Sequence, residues 1–225
     1  MPESRHDSTH DSNGPVPQVL VDDPVEPVIV SSEIAFDGKV WDIRREVFEL
    51  DGHQVTREFV DHTGAVAVLA MDDQDRVLLI KQYRHPVRYR EWELPAGLLD
   101  IAGESPLRAA QRELAEEVDK TAARWDLLTD FMTSPGGSNE VLRVYLARDV
   151  SDAPHTFERT EEEAGIEVRW VPLDDVVDAV LARDLQNSIL AIAVFAAAAG
   201  RARGWRTLGD ANAPMTRHPL ERAAT

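Results

Sequence analysis

From Glu93 to Asp119 the chain reads ELPAGLLDIAGESPLRAAQRELAEEVD. Its apolar opening predicts a strand end, Gly97 and Gly103 predict a loop, and the good helix formers from Leu107 to Val118 predict about three turns of helix. Ser105 supplies an N-cap and Pro106 suits the first helical position, where no backbone donor is needed. Glu113, Glu116 and Glu117 fall at i, i+3 and i+4, so at about 100° per residue their carboxylates crowd one side. They repel by roughly a few tenths of a kcal/mol per pair, and a divalent cation relieves that repulsion. A solvated acidic face is the other reading of this spacing. The glycines favour the cation, because they let loop backbone approach a metal or phosphate. Hard oxygen ligands of this kind suit magnesium or manganese shared with a substrate phosphate.

This stretch resembles the signature box of the Nudix family, with Gly97, Glu104, Arg112, Glu113, Leu114, Glu116 and Glu117 at matching positions. Two departures stand out: six residues instead of five separate Gly97 from Glu104, and Asp119 and Lys120 replace the closing glycine and an apolar residue. Aspartate tolerates a left-handed helix end, so that exchange is expected to cost roughly 1 kcal/mol or less. The longer loop bears more on the position of Glu104.

A chain of 225 residues with 43% hydrophobic content suits one domain of ordinary core size with an appendage and tails. Forty-one acidic against 24 basic residues give a net charge of −17, which argues against general affinity for nucleic acid or anionic membrane. No cysteine is present, so disulfides and thiolate chemistry are excluded. With no signal peptide or long apolar run, the expected address is the cytoplasm.

Residues 1–29, rich in Pro, Ser, Asp and His, are expected to form a disordered tail. Residues 30–62 are expected to form an N-terminal antiparallel sheet turned at Asp51-Gly52. The main domain is placed at 63–205 and a loose C-terminus at 206–225. Ala65–Ala70 and Val77–Gln82 read as central strands, Trp125–Met132, Val141–Ala147 and Ile166–Val171 as further strands. Leu173–Ala182 and Gln186–Ala199 read as helices; the second is apolar nearly all round, so it is buried against the sheet or at a subunit interface.

The resemblance implies an α/β fold: an α/β/α sandwich with a mixed sheet, plus the N-terminal antiparallel sheet. The segments flanking the box are similar to those of the branch of the family that splits ADP-ribose. There the appended sheet is exchanged between subunits, which implies a homodimer, with Arg57 either reaching a partner's site or lying on the surface. Arg84 either binds a diphosphate oxygen through its planar fork or makes a structural salt bridge. Glu93 either faces substrate and metal-bound water or is a surface carboxylate. Glu140, closing the Ser134-Pro135-Gly136-Gly137 loop, is the implied ribose acceptor. Within the charged run 158–163 the resemblance supplies a base, Glu162 first and Glu163 second. Glu113, Glu116, Glu117 and the Ala96 carbonyl are the implied magnesium ligands, with manganese possible. The implied reaction is magnesium-dependent hydrolysis of ADP-ribose to AMP and ribose 5-phosphate. The alternatives are another nucleoside diphosphate derivative as substrate, or a non-catalytic nucleotide sensor.

Overall fold

A computed structural model describes residues 20–157 and 165–216. An antiparallel sheet leads, in the order β1 (Val28–Phe36), β2 (Asp42–Leu50), β3 (His53–Asp61). Its β2–β3 turn is the expected one, with positive φ at both Asp51 and Gly52 (50° and 79°), the conformation whose twist suits a two-residue hairpin. The first strand begins at Val28, two residues ahead of the expected boundary, because Val28 and Ile29 already pair with Glu49 and Phe48.

The main body holds β4 (Ala65–Ala70), β5 (Arg76–Arg84), β6 (Tyr89–Glu93), β7 (Ala96–Leu98), α1 (Pro106–Val118), β8 (Lys120–Met132), β9 (Val141–Asp152), β10 (Glu167–Pro172), α2 (Leu173–Leu181) and α3 (Ser188–Ala202). The larger sheet runs β7-β4-β9-β8 and is mixed, since β4 and β9 are parallel; the smaller runs β10-β5-β6 and is antiparallel.

Strand β4 explains the layering. All six of its residues are buried, and they alternate. Ala65, Ala67 and Leu69 join one core with Leu190, Ala193, Val194 and Ala197 of α3 and Val176 of α2. Val66, Val68 and Ala70 join the other core with Ala109, Ala110, Leu114 and Val118 of α1. A strand covered on both faces needs apolar residues throughout, and AVAVLA supplies them. The result is the expected α/β/α sandwich. Helix α3 is buried on its sheet-facing side only, because Ile192 and Phe195 remain exposed. Among the described residues no helix is long and apolar enough to cross a membrane.

The C-terminus departs from expectation over residues 206–216. Leu127 and Gly209 form a bridge, Met215 is buried, and Ala211 joins the core under α1. The segment meets Arg143 on β9, which is 1% exposed. It pairs with Asp130 on β8 (2.8 and 2.7 Å) and donates to the carbonyls of Ala213 and Pro214. A buried guanidinium must satisfy several donors, and the C-terminal segment provides two of the acceptors.

Candidate active site

Helix α1 starts and stops as its sequence dictates. The Ser105 hydroxyl accepts from the Arg108 N–H at 3.3 Å, Pro106 opens the first turn, and Asp119 ends the helix in a left-handed conformation (φ 53°, ψ 39°). There the Asp119 N–H donates to the Ala115 carbonyl at 3.0 Å. With Ala109, Ala110, Leu114 and Val118 turned to the core, the glutamates are left at its edge, facing β7 and the loop behind it.

Two of them touch that strand. Glu117 is buried, and its Oε2 accepts from the Ala96 N–H at 3.0 Å. Ala96 lies opposite Ala67, and Val68 N–H bonds the Pro95 carbonyl. Alternation along an antiparallel pair therefore turns both the N–H and the carbonyl of Ala96 away from β4. Glu113 lies against Gly97: a Cβ there would stand 1.9 Å from Glu113 Oε1, so only glycine admits the carboxylate.

Arg112 gathers the acids. Its guanidinium makes two bonds to Glu104 (3.1 and 3.0 Å), one to Glu113 (2.7 Å) and one to Glu116 (3.0 Å). These contacts, led by the hydrogen bond to Glu104, hold its proton more tightly than usual. The extra loop residue has therefore not removed Glu104 from the cluster. Among the described residues no three carboxylates or imidazoles converge in metal-ligand geometry. Glu113 and Glu116 are drawn to Arg112, and Glu117 to Ala96. The donor chemistry nonetheless fits a hard divalent cation: carboxylate oxygens, an outward-turned carbonyl and a glycine cradle.

Arg84 and Glu93 pair with each other in a salt bridge. Glu93 is buried, and its carboxylate takes the Arg84 fork at 2.9, 3.1 and 2.6 Å. It is no surface carboxylate. That hydrogen bonding raises the Arg84 pKa, and the charge of Glu117 adds to it through space. Trp92 packs against the core and carries Arg169 and Lys81 over its ring (4.7 and 5.2 Å).

Arg57 and Glu140 form a separate group. Both line a cavity of about 390 Å³ between the appended sheet and the loop before β9, with Phe48, Phe59 and Met132. None of the α1 carboxylates lines it. Arg57 is exposed and donates to the Thr56 carbonyl at 2.8 Å. Glu140 accepts from the Thr133 hydroxyl and lies 3.4 Å from His62 Nε2. The loop is tied to the end of β3: Val60 N–H donates to Gly137 O (2.9 Å), His62 N–H to Asn139 Oδ1 (2.7 Å), and Asn139 Nδ2 to Asp61 Oδ1 (2.8 Å). Nothing in the sequence marks His62 or Asn139, because their roles arise between segments more than seventy residues apart, nor Thr133, which meets Glu140 across its own loop. Glu162 and Glu163 lie outside the described residues.

Known proteins resemble this chain in sequence and fold. Residues 61–191 match the NUDIX domain family model. The chain is 44% identical over 168 residues to the ADP-ribose pyrophosphatase of Mycobacterium tuberculosis, covering 74% of this chain and 81% of that protein. It is 39% identical over 171 residues to the ADP-ribose pyrophosphatase of Bacillus subtilis, covering 76% and 91%. A crystal structure of an ADP compounds hydrolase superposes with a TM-score of 0.67 at 22% identity, covering 82% of this chain and all of that one, which speaks to the fold alone.

Proposed function

This chain belongs to the Nudix family, and from that premise we propose that it is a cytoplasmic homodimer that hydrolyses ADP-ribose to AMP and ribose 5-phosphate with magnesium, or manganese in its place. The observation that carries the reading is the set of α1 acids gathered by Arg112 and seated on β7, in a chain 44% identical to an ADP-ribose pyrophosphatase.

Glu113, Glu116, Glu117 and the Ala96 carbonyl would hold the cation. When bound, it neutralises phosphate charge and acidifies a water. Arg112 orients the helical glutamates. Glu93 fixes Arg84 through Nε and Nη2, leaving Nη1 for a diphosphate oxygen. Glu162, with Glu163 second, accepts the proton as the water oxygen attacks phosphorus and the bridging P–O bond breaks. In this scheme Glu140 accepts from ribose hydroxyls.

Arg57 and Glu140 sit in a cavity without the α1 acids, so one substrate meets both groups most simply when a second subunit supplies one of them. Val28, Ile34, Phe36 and Val40 are exposed on and beside the appended sheet, which supports its burial against another copy.

The test is AMP release from ADP-ribose with magnesium, beside a panel of other nucleoside diphosphate derivatives, for wild type and Glu117→Gln. Release that falls by roughly 10² or more in the variant is the expected result. Cleavage of another panel member but not of ADP-ribose would sink the substrate assignment. No turnover, with nucleotide binding intact, would favour the sensor.

A further inference from the structure

His62 touches the carboxylate assigned to the sugar. Its ring stacks on Trp41, with centroids 4.1 Å apart and planes 18° apart, and its side chain is only 8% exposed. The Gly64 N–H donates to Nδ1 at 2.9 Å. In the neutral imidazole Nδ1 is therefore the acceptor and Nε2 carries the proton. Nε2 stands 3.4 Å from Glu140 Oε1, while the Thr133 hydroxyl donates to Oε2. Oε2 thus accepts from Thr133 while Oε1 has the His62 ring beside it, and each oxygen retains a lone pair for another donor. Two adjacent hydroxyls on one sugar ring match that demand, one to each oxygen.

The backbone around this pair is fixed from both sides. Val60 and Ser138 form a parallel bridge, Asn139 joins Asp61 and His62, and Arg44 on β2 holds the other oxygen of Asp61 at 2.7 Å. The carboxylate is thereby referenced to the appended sheet. A rotating Glu140 would lose entropy on meeting a diol, whereas one held by Thr133 and flanked by the stacked His62 ring has lost part of it already.

We propose that His62, clamped by Trp41, is a positioning residue that fixes the Glu140 carboxylate for two-point recognition of the vicinal diol of a ribose, a role that rests on the ADP-ribose reading above. Its loss weakens binding of the diol and leaves the hydrolytic machinery in place.

The experiment compares ADP-ribose with two analogues, each lacking the 2-hydroxyl on one of its two riboses. Wild type should disfavour at least one analogue. His62→Leu, close in volume but without an N–H, should raise KM for ADP-ribose about tenfold with little change in kcat, and narrow the preference over that analogue by a similar factor. His62→Gln returns a donor and should recover most of the preference. Trp41→Leu should repeat the His62→Leu pattern at smaller amplitude, and serves if His62→Leu does not fold. An equal fall on all three compounds, an unchanged preference, or no recovery in His62→Gln overturns the role of His62 while the reaction stands. A wild type that leaves ADP-ribose intact overturns both.

Discussion

A methyl group at position 97 would lie 1.9 Å from Glu113 Oε1 and 2.1 Å from its Cδ, closer than any real contact. The glutamate is the part that can yield, so Gly97→Ala should swing it out of the cluster while the core stays packed. The expected outcome is a fall in kcat/KM of roughly tenfold or more and a higher magnesium requirement, because a carboxylate held about 1 Å out of place loses much of its value. Melting should move by no more than about 4 °C. A variant with wild-type kinetics would show that Glu113 is not needed where it now sits. The carboxylates themselves were legible in the sequence, since a helix converts i, i+3 and i+4 into one face without help from the rest of the fold. Their partners were only partly so. Arg112 could be placed in the box by its spacing, but its two-bond contact to Glu104 depends on a loop path that spacing leaves open. Likewise the burial of Glu93 is set by β5 and β6 together.

At the scale of single elements, the turn between β4 and β5 gives a pH signature. Asp72 Oδ1 accepts from the Gln74 and Arg76 N–H groups at 3.0 and 2.9 Å, and Oδ2 takes the Arg76 guanidinium. Burial, the largest single influence, pushes its pKa up, but these hydrogen bonds together outweigh it and hold the pKa below the ordinary value. A folded pKa below the unfolded one stabilises the fold above the unfolded pKa, about 3.9, and that stability disappears as pH falls through the folded value. Asp72→Asn should therefore cost about 1 kcal/mol near neutrality, and its melting curve should approach that of wild type as pH falls below the ordinary carboxylate range. A constant gap across that range would mean the charge is irrelevant. Here too the sequence was informative where the signal is local: the Ser105 hydroxyl, Pro106, Asp119 and the Asp51-Gly52 turn each act within a few residues of themselves. It was silent on the first five residues of β8. Lys120-Thr121-Ala122-Ala123-Arg124 has no apolar alternation, and its extended form comes from pairing with β9, Lys120 opposite Asp152 and Thr121 opposite Ser151.

For the whole molecule, the residues that escape a linear reading are those that join distant segments. Arg143 looks like a surface cation in a strand, yet it is buried because residues 213 and 214 return to receive it. The same logic extends beyond one chain. Glu113 and Glu117 of α1 lie against β7, while Arg57 and Glu140 line a cavity that contains none of the α1 acids. If a second copy brings these groups together, two dead variants should repair each other. Glu117→Gln damages the acid group and Glu140→Gln the sugar group, and each homodimer should be nearly inactive. In a mixed dimer of isologous symmetry, one site combines both lesions and the other combines none. Random re-pairing of equal amounts should then recover about a quarter of wild-type activity, since half the dimers are mixed and each has one intact site. The measurement is ADP-ribose turnover before and after the two proteins are unfolded and refolded together, with light scattering to establish the dimer. A site complete within each chain would place one lesion in each site of the mixed dimer, and refolding together would then recover nothing.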